Sequence, residues 1–393
     1  MKITSIDLIA LEPHPSEEMR PIITRINTDE GIYGYGEAGI AIVTGARACF
    51  EMLKDFAPML IGRNPLDINV IWDHLFRNTF WAMSNGPVVM SAISALDTSL
   101  WDIKAKAMGV PLYEALGGAY RTKLRAYASQ LQFSWGEGHH HHLGDLGLYK
   151  AAVERAKAEG YDAVKLNFLA VGEDGKMNSP EILHNYIPRS HMKYIEDRIR
   201  VTREVMGEGC DVIAENHAKT DVATAIQFAR AAEPYGIMYF EEPCLPLSAV
   251  NLKKIADSTT IPLAAGERNF TRWGFLPFFQ NGSMSVAQPD VGNCGGVTEF
   301  MRIAELAQLY DVSIQSHTCN SVISVAVSLH CEAAIQNFII HEHHVTNTFE
   351  SNTINGVYNY QPVNGYMEVP NLPGIGQELS DYALRTAEIF TIK

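Results

Sequence analysis

Apolar positions along this chain follow two rhythms. From about residue 121, short continuous apolar runs alternate with longer segments whose apolar positions recur every three or four residues. The first rhythm marks buried strands and the second marks helices packed on a core. Eight runs read as strands: KLRAYASQ, DAVKLNFL, DVIAEN, GIMYFEE, IPLAAGE, SMSVAQPD, VSIQSH and NFIIHEH. Helical segments such as YKAAVERAKAEG, ATAIQFARAAEPYG and GVTEFMRIAELAQLYD fit between them, with Gly160, Gly207 and Gly236 where a helix end needs a left-handed residue. ERNFTRWGFLPFFQNG is the least regular connection. Eight strands with intervening helices predict a parallel (β/α) barrel.

The opening third has a different texture. MKITSIDLIAL alternates as a strand, MRPIITRINTDEGIYGYGEAG reads as two more around a DEG turn, and three helical segments follow. Strands first and helices after predict a separate α+β unit over 1–120, with the barrel over 121–345. Residues 346–393, rich in Gly, Asn and Pro, read as a loop-rich tail returning to the first unit.

Six barrel strands end in an acid or a histidine: Glu215, Glu241, Glu267, Asp290, His317 and Glu342, at intervals of 23 to 27 residues. Any one alone would read as a strand-end ion pair. Three glutamates on successive strands would repel one another without a cation, and a site of three carboxylates suits Mg²⁺. Asp290 and His317 close adjacent strands, and an aspartate beside an imidazole fixes its tautomer for general-base work. His217 lies two residues beyond Glu215 and shares its face, where it can protonate a leaving group. Lys165 and Asn167 also share a face, and a lysine in an apolar strand demands a partner. Glu342, if protonated, would donate a hydrogen bond to a developing oxyanion.

Charge narrows the function classes. With 31 Lys and Arg against 45 Asp and Glu, the formal net charge is −14, which argues against nucleic acid as a partner. No apolar run spans a bilayer, so no membrane role is expected. The first residues read as a strand rather than a signal peptide, and six scattered cysteines suggest free thiols in a cytoplasmic protein. Two long loops, 132–147 with the run His139–His142 and 169–190 with Tyr186 and Arg189, are placed where substrate contacts arise. The histidine run is read as a mobile loop reaching the mouth, without a catalytic metal of its own.

The segments DEGIYGYGEAG, ALDTSLWDIKAKAMGVPLYEALGG, AENH, YFEEP, AAGE, QPDVGNCGG and SHT together resemble the enolase superfamily, in its mandelate racemase and muconate-lactonizing branch, over essentially the whole length. The resemblance implies an α/β protein: a modified TIM (β/α) barrel with an α+β N-terminal capping domain, whose loop around Pro13–Arg20 closes over the substrate. It implies one Mg²⁺ per active site, held by Glu215, Glu241 and Glu267, and a likeness to acid-sugar dehydratases of the galactonate type. There His317, paired with Asp290, would take the α-proton and His217 would protonate the departing 3-hydroxyl. Lys165 and Glu342 complete the expected catalytic set, and Asn167 and Arg268 are expected on the substrate. The product would be a 2-keto-3-deoxy acid formed from an aldonate such as galactonate, gluconate or mannonate. The racemase branch has a second lysine where this chain has Asn167, which removes the usual second base and speaks against racemisation; a hydroxy-acid racemase or epimerase with Lys165 as second base is the alternative. A low-activity protein that binds metal and carboxylate is a third reading. The family's first metal ligand is more often aspartate than glutamate, a departure at Glu215. A homo-oligomer is the family expectation.

Overall fold

The computed structural model describes residues 1–12, 19–40, 44–138 and 140–393. The first unit begins with β1 (Ile3–Ala10), β2 (Ile22–Thr28) and β3 (Tyr33–Ala38), which pair antiparallel in that order. The expected closing loop around Pro13–Arg20 falls largely outside the described residues. Helices 46–56, 68–78 and 87–108 cover one face of the sheet. The alternating glycines of YGYGEA have a steric purpose: a Cβ at Gly34 or Gly36 would overlap the Ser99 or Ala95 carbonyl, so only glycine lets helix 87–108 lie directly on β3.

The barrel strands follow as β4 (Lys123–Ser129), β5 (Ala163–Leu166), β6 (Asp211–Glu215), β7 (Ile237–Glu241), β8 (Leu263–Ala265), β9 (Val286–Ala287), β10 (Ser313–Ile314) and β11 (His341–His344). They are parallel and stand in chain order, with β11 returning to β4. The last seam closes through Ile314, whose N–H donates to the Asn337 carbonyl (2.8 Å) and whose carbonyl accepts from Ile339 N–H (3.0 Å). Tyr127, Ala163, Ile213, Tyr239, Ala264, Val286 and Ile340 fill the interior, two large rings set against small residues. The eight expected strands are all present, though the regular part of the eighth begins four residues later than the apolar run NFII. ERNFTRWGFLPFFQNG contains a helix, Thr271–Gln280, with Pro277 inside it, which is why its pattern reads as irregular.

The tail divides its allegiance. β12 (Tyr366–Glu368) pairs with β4, whereas β13 (Glu388–Ile392) extends the first sheet along β1, with Ile392 opposite Ile6. Among the described residues no helix is long and apolar enough to cross a membrane.

The first unit is fastened to the barrel by buried carboxylates at helix N-termini. Glu37, at the end of β3, accepts from Ser321 N–H (2.9 Å), Ser321 Oγ (2.7 Å) and Ser324 N–H (3.0 Å), capping helix 322–333 from outside. Asp97 accepts from Thr298 N–H (2.9 Å) and Thr298 Oγ1 (2.6 Å) at helix 296–308. Those two helices directly follow the strands that carry Asp290 and His317. Glu37→Ala would orphan two backbone donors in a dry interface. It is expected to lower unfolding free energy by about 1–3 kcal/mol, read from the denaturant midpoint.

Candidate active site at the barrel mouth

Glu215 and Glu241 are direct register partners across β6 and β7. Glu267 is offset: Glu241 stands opposite Ala264, and β8 ends two residues before Glu267. The chain bridges the gap at Gly266, with φ +145°, where a Cβ would strike the Gln288 backbone nitrogen at 2.8 Å. The turn brings one oxygen from each of Glu215, Glu241 and Glu267 to within 4.8 Å of one another. Burial works against all three charges. At Glu215 the neighbouring His217 and Lys165 prevail and hold the carboxyl below its ordinary range, whereas at Glu241 burial, reinforced by Glu215 and Glu342, pushes it up against Lys165. A convergent donor set made only of carboxylate oxygens, two of them fully buried, fits a small hard divalent cation.

Lys165 has found its partners. Its ammonium, 1% exposed, lies 2.5 Å from Glu241 Oε1, 2.9 Å from Glu342 Oε1 and 3.7 Å from Glu215 Oε2. Glu342 also accepts from Ser129 Oγ (2.6 Å) and Thr318 N–H (3.0 Å). Burial opposes its charge, but Lys165 and His317 outweigh burial and keep its pKa low. The expectation of a protonated, donating Glu342 therefore fails here: both oxygens already face donors, and none of its three flanking histidines is the partner.

Asp290 and His317 meet as expected. His317 Nδ1 lies 2.7 Å from Asp290 Oδ2, which also accepts from Asn320 Nδ2 (3.2 Å), while Gly292 N–H donates to Oδ1 (2.7 Å). His317 Nε2 is left toward the mouth, 3.3 Å from Glu267 Oε2. Burial lowers the affinity of His317 for a proton, but Cys319, Glu267 and Asp290 raise its pKa well above the ordinary histidine value.

His217 stands on the other side. Its φ is +49° and that of Ala218 is +55°, so the backbone turns sharply after Asn216 and aims the ring back over the strand end. His217 Nε2 is 2.9 Å from Glu215 Oε1, and Nδ1 receives Asn167 Nδ2 at 3.1 Å. Asn167 is thus 1% exposed and spent on His217, not open to a substrate as expected from sequence. Arg268 is partly exposed at the rim, where its guanidinium pairs with Glu242 (2.6 Å) and with Glu267.

Several participants carry no charge and went unnoticed in the sequence. Gln130 donates through Nε2 to Glu215 and, in turn, accepts from Gln132, which holds Asn167 N–H at 3.0 Å. Gln288 donates to Glu241 Oε2 (2.6 Å). The strand-end rule that selected five acids and a histidine would have found Gln130 and Gln288 had amides been admitted.

The two long loops divide. His140 lines the cavity above the site, and the rings of His140 and His142 lie against Phe133; His139 is outside the described residues. No residue of 169–190 lines that cavity among the described residues, and Tyr186 faces solvent. Buried Arg198 donates to the carbonyls of Phe168 (3.1 Å), Leu143 (3.3 Å), Gly144 (3.2 Å) and Gly172 (3.3 Å), tying both loops to one helix.

A capped parallel barrel with three convergent glutamates at its mouth, and an Asp–His pair on the neighbouring strands, has the build of an enzyme site. Comparison with known proteins agrees. The description "Mandelate racemase / muconate lactonizing enzyme, N-terminal domain" matches residues 9–117, and "Enolase C-terminal domain-like" matches residues 148–383. A D-galactonate dehydratase of Ralstonia nicotianae is 31% identical over 387 residues, covering 97% of this chain and 93% of that protein. Among solved structures, a member of the enolase superfamily from Salmonella Typhimurium is 46% identical with TM-score 0.97, each chain covered over 100%. The 3,6-anhydro-D-galactonate cycloisomerase of Zobellia galactanivorans is 27% identical with TM-score 0.82, covering 99% of this chain and 100% of that one. The chain belongs to the enolase superfamily, in its mandelate racemase and muconate-lactonizing branch.

Proposed function

We propose that this enzyme removes water from a sugar acid to form a 2-keto-3-deoxy acid. The observation that carries the reading is the placement of two histidines. His217 follows β6 and His317 follows β10, four strands apart in an eight-stranded ring and so on opposite sides of the mouth, with the glutamate trio between them. One side therefore offers a base for the proton on C2, and the other an acid for the hydroxyl on C3.

His317, held in one tautomer by Asp290, takes the C2 proton on Nε2. The electron pair moves into the carboxylate and then out through C3 as the C3–O bond breaks. His217, entering the step as the imidazolium, gives its Nε2 proton to the leaving oxygen and is left neutral, with the Asn167 amide holding the ring at Nδ1. The enol released collects a proton at C3 and becomes the ketone. Glu215, Glu241 and Glu267 would hold Mg²⁺, which when bound supplies positive charge for the substrate carboxylate. Arg268 at the rim is assigned to the substrate, and Lys165 and Glu342 to holding the charge balance of the floor. Lys165 lies within reach of three glutamates, and Asn167 stands where the racemase branch has lysine; both speak against a second base and hence against racemisation. The galactonate dehydratase relative supports the reading.

The test is incubation with a panel of sugar acids and Mg²⁺ in deuterated water. A 2-keto acid carrying deuterium at C3 is the expected product. Recovered substrate inverted at C2, with no ketone, would transfer the enzyme to the epimerases. A Glu267→Gln variant should bind Mg²⁺ more weakly by about 10–100-fold in calorimetry while keeping the wild-type circular dichroism spectrum.

A further inference from the structure

The amides behind His217 form a one-way chain of hydrogen bonds. β4 ends at Ser129, and Gln130 follows with φ +69°, a left-handed backbone that a glutamine adopts only at a cost. Its N–H holds it there by donating to the Lys165 carbonyl on β5 (3.0 Å). One tight turn, Leu131–Phe133, then folds the Gln132 side chain back onto Gln130. The Gln132 carbonyl accepts from Leu143 N–H (3.0 Å), which keeps the turn in place. Gln130 and Gln132 are 2% and 0% exposed.

The direction of the chain is set at one atom. Asn167 N–H donates to Gln132 Oε1 (3.0 Å), and a backbone N–H can only donate. The Gln132 amide nitrogen is therefore turned to Gln130 Oε1. With its oxygen engaged, Gln130 presents Nε2 to Glu215 and, at 3.5 Å, to His217 Nε2. The Asn167 side chain meets the other ring nitrogen, with Nδ2 3.1 Å from His217 Nδ1. Gln132 thus joins the two supports of the imidazole, Gln130 at Nε2 and Asn167 at Nδ1.

The direction matters to the chemistry. An amide nitrogen has no lone pair to hold the proton on His217 Nε2, so that proton stays available to a leaving oxygen. Turned end for end, Gln130 would set Oε1 against the Glu215 carboxylate and would hold the His217 proton itself. We propose that Gln132 is a positioning residue for the acid step: it fixes Gln130 and Asn167 so that His217 delivers its proton to the leaving hydroxyl, and it has no part in removing the C2 proton. This rests on the dehydratase reading and adds to it a residue remote from the reacting atoms.

The experiment uses the sugar acid that wild-type enzyme dehydrates fastest, with saturating Mg²⁺ in deuterated water. NMR follows two signals, deuterium entering C2 of recovered substrate and formation of the 2-keto acid. Gln132→Met keeps an unbranched chain of similar length but has no N–H to give. It should lower formation of the 2-keto acid about tenfold or more. Proton removal summed over both signals, and KM, should stay within about threefold, so the ratio of exchange to dehydration rises about tenfold. Gln132→Asn, which keeps the amide on a side chain one methylene shorter, should fall between Gln132→Met and wild type. In His217→Asn the supported ring is gone, and adding Gln132→Met should leave exchange unchanged within about twofold. A proportional fall in both signals, an unmoved ratio, or loss of exchange in the double variant overturns the inference and leaves the dehydratase reading standing, since wild type still forms the ketone. If wild type forms no ketone from any sugar acid, that reading fails and the inference with it. Should Gln132→Met not fold, Gln132→Asn decides on the same ratio.

Discussion

A His317→Asn variant is expected to lose dehydration and exchange of the C2 proton together, each by about 10²–10⁴-fold. Asparagine keeps a polar group near Asp290 but places no basic nitrogen toward the cavity. The geometry makes the two losses inseparable. Asp290 occupies Nδ1 at 2.7 Å, so only Nε2 can receive a proton from the substrate. Proton exchange measured by NMR in deuterated water isolates the first step from the loss of the hydroxyl. Exchange that survives in His317→Asn while dehydration stops would move the base elsewhere. His217→Asn is the contrasting case: there exchange should continue and water loss should fail if that ring has its proposed role at the leaving group.

Lys165→Met is expected to destabilise the fold by about 3–5 kcal/mol. Methionine has nearly the same length, so packing changes little and electrostatics dominates. Three glutamates lie within 3.7 Å of the ammonium, all of them buried. Removing the cation leaves those carboxylates facing one another in a dry interior. A loss of that size is a large share of the 5–15 kcal/mol that holds an ordinary domain together. Urea unfolding measures it, and added Mg²⁺ should recover part of it in Lys165→Met. A change below about 1 kcal/mol would mean that the glutamates do not depend on Lys165.

Both results follow from contacts of different legibility. The pairing of Asp290 with His317 could be read from the chain, because both close strands that neighbour one another in any eight-stranded ring. The trio of glutamates was legible for the same reason, although the register shows Glu267 displaced past the end of β8 and restored by the turn at Gly266. The partner of Lys165 was not legible. A buried lysine announces that it needs an anion, but five strands end in a carboxylate, and only closure of the barrel decides which of them lie within reach. Asn167 shows the same limit from the other direction: its position beside Lys165 suggested the substrate, and the left-handed turn at His217 delivered an imidazole to it instead.

Periodic patterns are local, and what they state about a segment holds wherever that segment packs. The order of strands and helices, the acids and histidines at strand ends, the change of texture near residue 120 and the family were therefore present in the sequence alone. Tertiary structure decided which polar atoms meet: Lys165 among three glutamates, Arg198 across two loops, and Glu37 on a distant helix N-terminus. Those meetings depend on chain closure between residues tens to hundreds of positions apart, and on which buried group can find a complement. No periodicity records that, because a hydrogen bond across a barrel leaves no regular trace in the spacing of the residues that form it.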